Sequence, residues 1–139
     1  MYPPQIVLPM KAELTESGFA DLTTPEMVED MITNHDGTLL LVINSVCGCA
    51  AANARPGAKI ALQYATKKPD NLATVFAGFD TAAVARAREY TLPYPASSPS
   101  MALFKNGQLV YFMERHQIEG VSAQEIARNL LGAFEKHCE

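Results

Sequence analysis

One apolar run that ends on a pair of cysteines limits this chain more than any other feature. Thr38-Leu39-Leu40-Leu41-Val42-Ile43-Asn44 carries no charge. A short continuous apolar run of this kind is the pattern of a strand covered on both faces. After Asn44-Ser45-Val46 comes Cys47-Gly48-Cys49, and from Ala50 to Lys67 alanines and long side chains dominate, which reads as a helix. Pro56 should kink that helix after its first turn, because its ring removes a backbone donor and crowds the preceding turn.

Downstream, Leu72-Ala73-Thr74-Val75-Phe76-Ala77-Gly78 reads as a second buried strand, and Asp80 is placed to cap a helix from Thr81 to about Tyr90. A link carrying Pro93, Pro95 and Pro99 follows. Met101-Ala102-Leu103-Phe104 and Leu109-Val110-Tyr111-Phe112-Met113 flank Lys105-Asn106-Gly107-Gln108, and Asn-Gly between apolar runs predicts a tight hairpin. Ser122 and Glu125 form a capping-box pattern for a helix to about Lys136, with Ile126, Leu130 and Phe134 on one stripe. Thr24-Pro25-Glu26 starts a helix reaching about His35, and residues 5–17 form another, interrupted near Pro9. From residue 38 the order is β-α-β-α-β-β-α. The first two strands need a crossover helix and so pair in parallel, while the hairpin is antiparallel. The class is therefore α/β, a mixed central β-sheet flanked by helices.

At 139 residues the chain suits one compact domain, and with 48% apolar residues it can bury a core. The net charge of −4 and the scattered charges argue against nucleic acid or an anionic membrane as partner. No stretch reaches the roughly 18 continuous apolar residues of a membrane span. The start, Met-Tyr-Pro-Pro-Gln, lacks the basic region of a signal peptide. Three cysteines are an odd number, too few for a secreted disulfide scaffold, so a reducing, cytoplasmic location is expected.

The chemistry should lie at Cys47 and Cys49. A helix N-terminus presents unpaired N–H groups and partial positive charge, which favour a thiolate over a thiol. Cys47 at that point would be the exposed nucleophile, Cys49 the resolving thiol, and Gly48 would let the backbone turn tightly and another chain approach closely. A disulfide spanning one residue closes a small, strained ring, which suits exchange or isomerisation better than strong general reduction. Plainer readings stand beside this one. The pair could be packed thiols, or half of a metal site. Zinc, however, favours four ligands at wider spacing, so neither metal nor cofactor is expected. Cys138 reads as an exposed terminal thiol, or as a third thiol that traps a mixed disulfide. His35, His116 and His137 read as helix-end or loop residues, and Arg55 as solvated. Ser98-Pro99 stands directly before a core strand, where composition alone favours a trans bond.

Asn44-Ser45-Val46-Cys47-Gly48-Cys49-Ala50-Ala51 with Ala54-Arg55-Pro56 resembles the bacilliredoxin family. So do Ser97-Ser98-Pro99-Ser100-Met101-Ala102-Leu103, Arg115-His116 with Ile118-Glu119-Gly120, and the closing His137-Cys138. The resemblance spans nearly the whole chain. It implies a thioredoxin-like fold over residues 1–139, with an N-terminal helical extension at 1–36 and the thioredoxin-like core at 37–139. It implies a cis Pro99 facing the cysteines, holding the Ser98 backbone in reach of an incoming substrate strand. It further implies a nucleophile at Cys47, a resolving cysteine at Cys49, and removal of bacillithiol from S-thiolated client proteins, with weak disulfide isomerase activity. The low-molecular-weight thiol would be a co-substrate. The family's terminal cysteine falls on Cys138.

Overall fold

The apolar run becomes the middle strand of a five-stranded sheet in the computed structural model, which describes all of residues 1–139. In chain order the elements are α1 (Pro4–Thr15), β1 (Ala20–Asp21), α2 (Pro25–Thr33), β2 (Thr38–Asn44), a π-helical turn (Ala50–Ala54) leading into α3 (Arg55–Tyr64), β3 (Asn71–Phe76), α4 (Thr81–Tyr90), β4 (Ser100–Lys105), β5 (Gln108–Met113), a 3-10 turn (Arg115–Gln117) and α5 (Ala123–His137). The strand order is β1-β3-β2-β4-β5. β3 runs parallel to β1 and β2, whereas β4 runs antiparallel to β2 and β5.

Every residue of β2 is buried. Its side chains alternate between two cores. Leu40 and Val42 meet Ala58 and Ala61 of α3 and Ile126, Leu130 and Phe134 of α5. Leu39, Leu41 and Ile43 meet Val28 and Ile32 of α2 and Ala83 and Ala87 of α4. Each such side chain contributes about 1.5–3 kcal/mol when fully covered, so both faces hold the strand in register.

The hairpin forms as expected, with Asn106 at φ 51° and Gly107 at φ 81°. Several local expectations need correction. α1 runs unbroken through Pro9, because its buried Val7, Lys11 and Leu14 are pressed onto the fold across the proline. Ahead of Pro56 the helix widens into the π turn, where the Arg55 N–H donates to the Ala50 carbonyl five residues back. That wider turn absorbs the missing proline donor. Asp80 precedes α4 but makes no side-chain cap bond. Its carboxylate instead takes the buried Lys11 ammonium at 2.6 Å, which also reaches Asp21 at 3.0 Å. Ser122 Oγ does accept the Glu125 N–H, but the Glu125 carboxylate pairs with Arg128 rather than closing the box. The two-residue β1 gives no periodic signal in sequence and forms only because β3 offers it an edge. No helix is long and apolar enough to cross a membrane.

α3 and α5 approach closely at Gly57, where a built Cβ would lie 2.6 Å from Ile126 Cγ2 and 2.9 Å from Ile126 Cβ. Gly57→Ala gains about 1 kcal/mol of helix propensity but overpacks the contact at a cost of about 1–3 kcal/mol. We expect a net loss of stability and a lower urea midpoint with an unchanged slope. A midpoint at or above the wild-type value would show that the helices are not in close contact there.

Candidate active site

The loop that carries the cysteines is tied down from below. At the end of β2, Asn44 donates from Nδ2 to the Met10 carbonyl of α1 at 3.3 Å and accepts the Ser45 N–H on Oδ1 at 2.9 Å. Arg55 is 1% exposed, which corrects its reading as a solvated side chain. Its Nη1 donates to Asn44 Oδ1 at 2.9 Å and to the Ser45 carbonyl at 3.0 Å. Glu13 Oε1 of α1 lies 3.1 Å from Arg55 Nε, a charge contact outside hydrogen-bond geometry. Burial of a guanidinium is costly unless it is paired in this way, and the pairing locks the backbone that leads to Cys47. Ser45 Oγ then accepts the Cys47 N–H at 3.2 Å.

Cys47 stands at the helix start, its carbonyl accepting the Ala50 N–H at 2.9 Å and the Ala51 N–H at 3.3 Å. The sulfurs of Cys47 and Cys49 are 2.7 Å apart as free thiols. Cys47 is half-buried and Cys49 is buried. Their acidities part accordingly. The Cys47 pKa is lowered, first by the hydrogen bond from the Cys49 thiol and then by the Cys49 N–H, with Arg115 and the Ala50 N–H adding to this against desolvation. The Cys49 pKa is raised, first by burial, then by its hydrogen bond to Cys47 and that sulfur's negative charge. Gly48 is exposed, and its φ lies outside the positive range, so the tight-turn argument for a glycine fails there. A built Cβ at Gly48 meets nothing within 4 Å, which leaves the backbone open to close approach.

Arg115 is the functional candidate that the sequence reading did not single out. Glu114 and Gln117 form a complete capping box around the 3-10 turn, and that turn presents Arg115 to the cysteines. Its Nη2 lies 3.3 Å from Cys47 Sγ, its Nη1 donates to the Ser98 carbonyl at 3.3 Å, and its Nε donates to Glu119 at 3.1 Å. The Ser98-Pro99 bond is cis, as is Leu92-Pro93. Arg88 Nη1 and Ser100 Oγ both donate to the Ser97 carbonyl, pinning the loop that carries Ser98.

Cys47, Ser45, Ser98 and Arg115 line one cleft of about 230 Å³. Tyr2 forms its far wall, with its N–H donating to the Gly78 carbonyl. Pro99 is buried behind Ser98 and does not line the cleft. Cys138 is not the exposed terminal thiol expected from sequence. It is 4% exposed at the end of α5, with Thr38 and Asp70 beside it, and burial raises its pKa. Thr38 opens β2 and Cys47 follows its end, so Cys138 lies roughly 20 Å from the pair, one strand length away. His35, His116 and His137 lie outside the cleft.

A family model described as "Disulphide isomerase" matches residues 2–138. A bacilliredoxin of Cytophaga hutchinsonii is 57% identical over 136 residues, covering 98% of this chain and 99% of that protein. A bacilliredoxin of Bacillus cereus is 55% identical over 137 residues, covering 99% and 95%. Among solved structures, Fasciola hepatica thioredoxin superposes with a TM-score of 0.57 at 18% identity, covering 86% of this chain and 99% of that one. The fold is thus thioredoxin-like. Identity above half along almost the full length, carried by the chain that holds Cys47-Gly48-Cys49, makes this protein a member of the bacilliredoxin family.

Proposed function

We propose that the chain removes bacillithiol, or a similar small thiol, from protein mixed disulfides, using Cys47 to attack and Cys49 to resolve. The family and the fold support a thiol–disulfide oxidoreductase-like role. The observation that carries the finer reading is the placement of two sulfurs 2.7 Å apart, Cys47 half-buried beside Arg115 and Cys49 buried, which lowers the first pKa and raises the second. A thiolate attacks and a thiol does not, so the two sulfurs are ready for different steps.

In the first step the Cys47 thiolate attacks the small-thiol sulfur of a mixed disulfide. The old sulfur–sulfur bond breaks and the client protein leaves as a thiolate. Cys47 is then neutral and disulfide-bonded, and the two influences of Cys47 that raise the Cys49 pKa disappear. Cys49 loses its proton more readily, attacks Cys47 Sγ, and expels the small thiol as the Cys47–Cys49 disulfide closes. A low-molecular-weight thiol or dithiol reductant reopens that pair by further exchange. The open space over Gly48 and the pinned Ser98-Pro99 loop are read as the substrate-binding surface. Disulfide isomerisation is a weaker activity of the same sulfurs. The reaction is read as cytoplasmic, where free thiols persist. Cys138 is given no step.

Intact-mass analysis checks the assignment. Cys49→Ser, mixed with a bacillithiolated client, should hold the small thiol on Cys47, and Cys47→Ser should take up none and lose activity by a hundredfold or more, on the order seen when a catalytic nucleophile is removed. Full activity in Cys47→Ser, or a stoichiometric metal held by both sulfurs, would overturn the reading.

A pH profile of alkylation checks the electrostatics. Because the pKa of Cys47 is lowered, its reaction should persist below the ordinary thiol value of about 8.5. Cys49→Ala removes the largest cause and should move the inflection upward. Arg115→Gln should move it upward by less. An inflection unmoved by Cys49→Ala would show that the second sulfur does not hold the first one ionised.

A further inference from the structure

The cleft beside Cys47 carries one charged group, Arg115, in a chain whose net charge is −4. A guanidinium has five N–H donors in a rigid fork. Three of them are accounted for by Glu119, Ser98 and Cys47. The rest are left at a side chain that is 43% exposed. The contact with Cys47 also depends on the redox state. It is a bond from a cation to a sulfur that carries charge only while it is a thiolate. When Cys47 enters a disulfide the charge moves to the leaving sulfur, and Nη2 faces the cleft without an anionic partner.

The contact with Ser98 bears on the same question. The Ser98 carbonyl precedes the cis proline and is the acceptor that an extended client strand would need beside Cys47. Arg115 Nη1 already occupies it. A protein strand entering the cleft has to share that oxygen, which keeps a second lone pair, with the guanidinium beside it. A small thiol needs no such backbone acceptor, and the cleft of about 230 Å³ lies open beside Cys47.

We propose that Arg115 sets which of the two sulfurs Cys47 attacks, by drawing the small-thiol end of the mixed disulfide into the cleft when that thiol carries an anionic group. The inference rests on the exchange reading above. In a mixed disulfide between client and small thiol, attack on the small-thiol sulfur forms Cys47–S–S–thiol and releases the client thiolate. Attack on the client sulfur forms Cys47–S–S–client and releases the small thiolate. Each route breaks one sulfur–sulfur bond and makes one, with the electron pair leaving on the displaced sulfur, so neither needs an outside oxidant or reductant. The two routes use the same Cys47 thiolate, so the acidity of Cys47 cancels from their ratio. Positioning does not.

The test uses Cys49→Ser, which stops after the first step, with and without Arg115→Gln. The probes are a single-cysteine peptide carrying mercaptopropionate, which is anionic, and the same peptide carrying mercaptoethanol, which is neutral. Intact-mass spectrometry counts small-thiol and peptide adducts on Cys47. With Arg115 present and the anionic probe, the small-thiol adduct should dominate. Arg115→Gln should shift the ratio toward the peptide adduct by about tenfold or more, the loss of one charge-assisted hydrogen bond. The neutral probe should move far less. An unchanged ratio with both probes would overturn the proposal, leaving Arg115 only its influence on acidity, as would an equal shift with both. Absence of any Cys47 adduct with either probe would overturn the exchange reading itself, a different result.

Discussion

Water is kept from both faces of β2, so polar chemistry on this strand can occur only at its ends. That constraint organises the molecule. The apolar side chains between Thr38 and Asn44 are shared by two cores, and sliding the strand by one residue would exchange them between helix layers of different shape. The register of β2 therefore fixes where Cys47 emerges, and with it the start of the helix that follows. At the other end the same rigidity buries Cys138 beside Thr38. The two sulfur centres share a sheet and nothing else that would let them react together.

At the outlet, proximity creates difference. Cys47 and Cys49 are two residues apart and start from the same intrinsic acidity. One lies half-open at a helix start with donors around it, and the other is covered. The hydrogen they share strengthens the contrast, because the bond that stabilises charge on Cys47 holds the proton on Cys49. The two thiols titrate as a coupled unit, in which charge on Cys47 adds to burial in holding the proton on Cys49.

Much of this was legible in the sequence because local and global signals agree. A seven-residue apolar run, a cysteine pair and a helix-forming stretch lie in one line, and Asn106-Gly107 fixes the hairpin. The elements missed or misjudged are those decided by partners distant in sequence. Arg55 reads as a surface residue until Glu13 and Asn44 are folded against it. Asp80 reads as a cap until Lys11 draws it away. Cys138 reads as a loose end until α5 docks it beside Thr38. Arg115 did have a usable signal. With β4 antiparallel to β2 and β5 antiparallel to β4, residues just before β4 and just after β5 must return to the end of the sheet where Cys47 lies. A cation two positions past Met113 was therefore bound to arrive near the sulfur.

The bond from Asn44 to the Met10 carbonyl and the charge contact of Glu13 with Arg55 give α1 more than a covering role. Together with Tyr2 as a wall of the cleft, they make the leading segment part of the scaffold that positions Cys47. A shortened chain starting at β1 could keep every strand and still lose its reactivity. The guanidinium of Arg55 would lose its carboxylate partner, Asn44 would lose its tie to Met10, and the turn above them would loosen. Competence for chemistry would fail at a milder lesion than folding does.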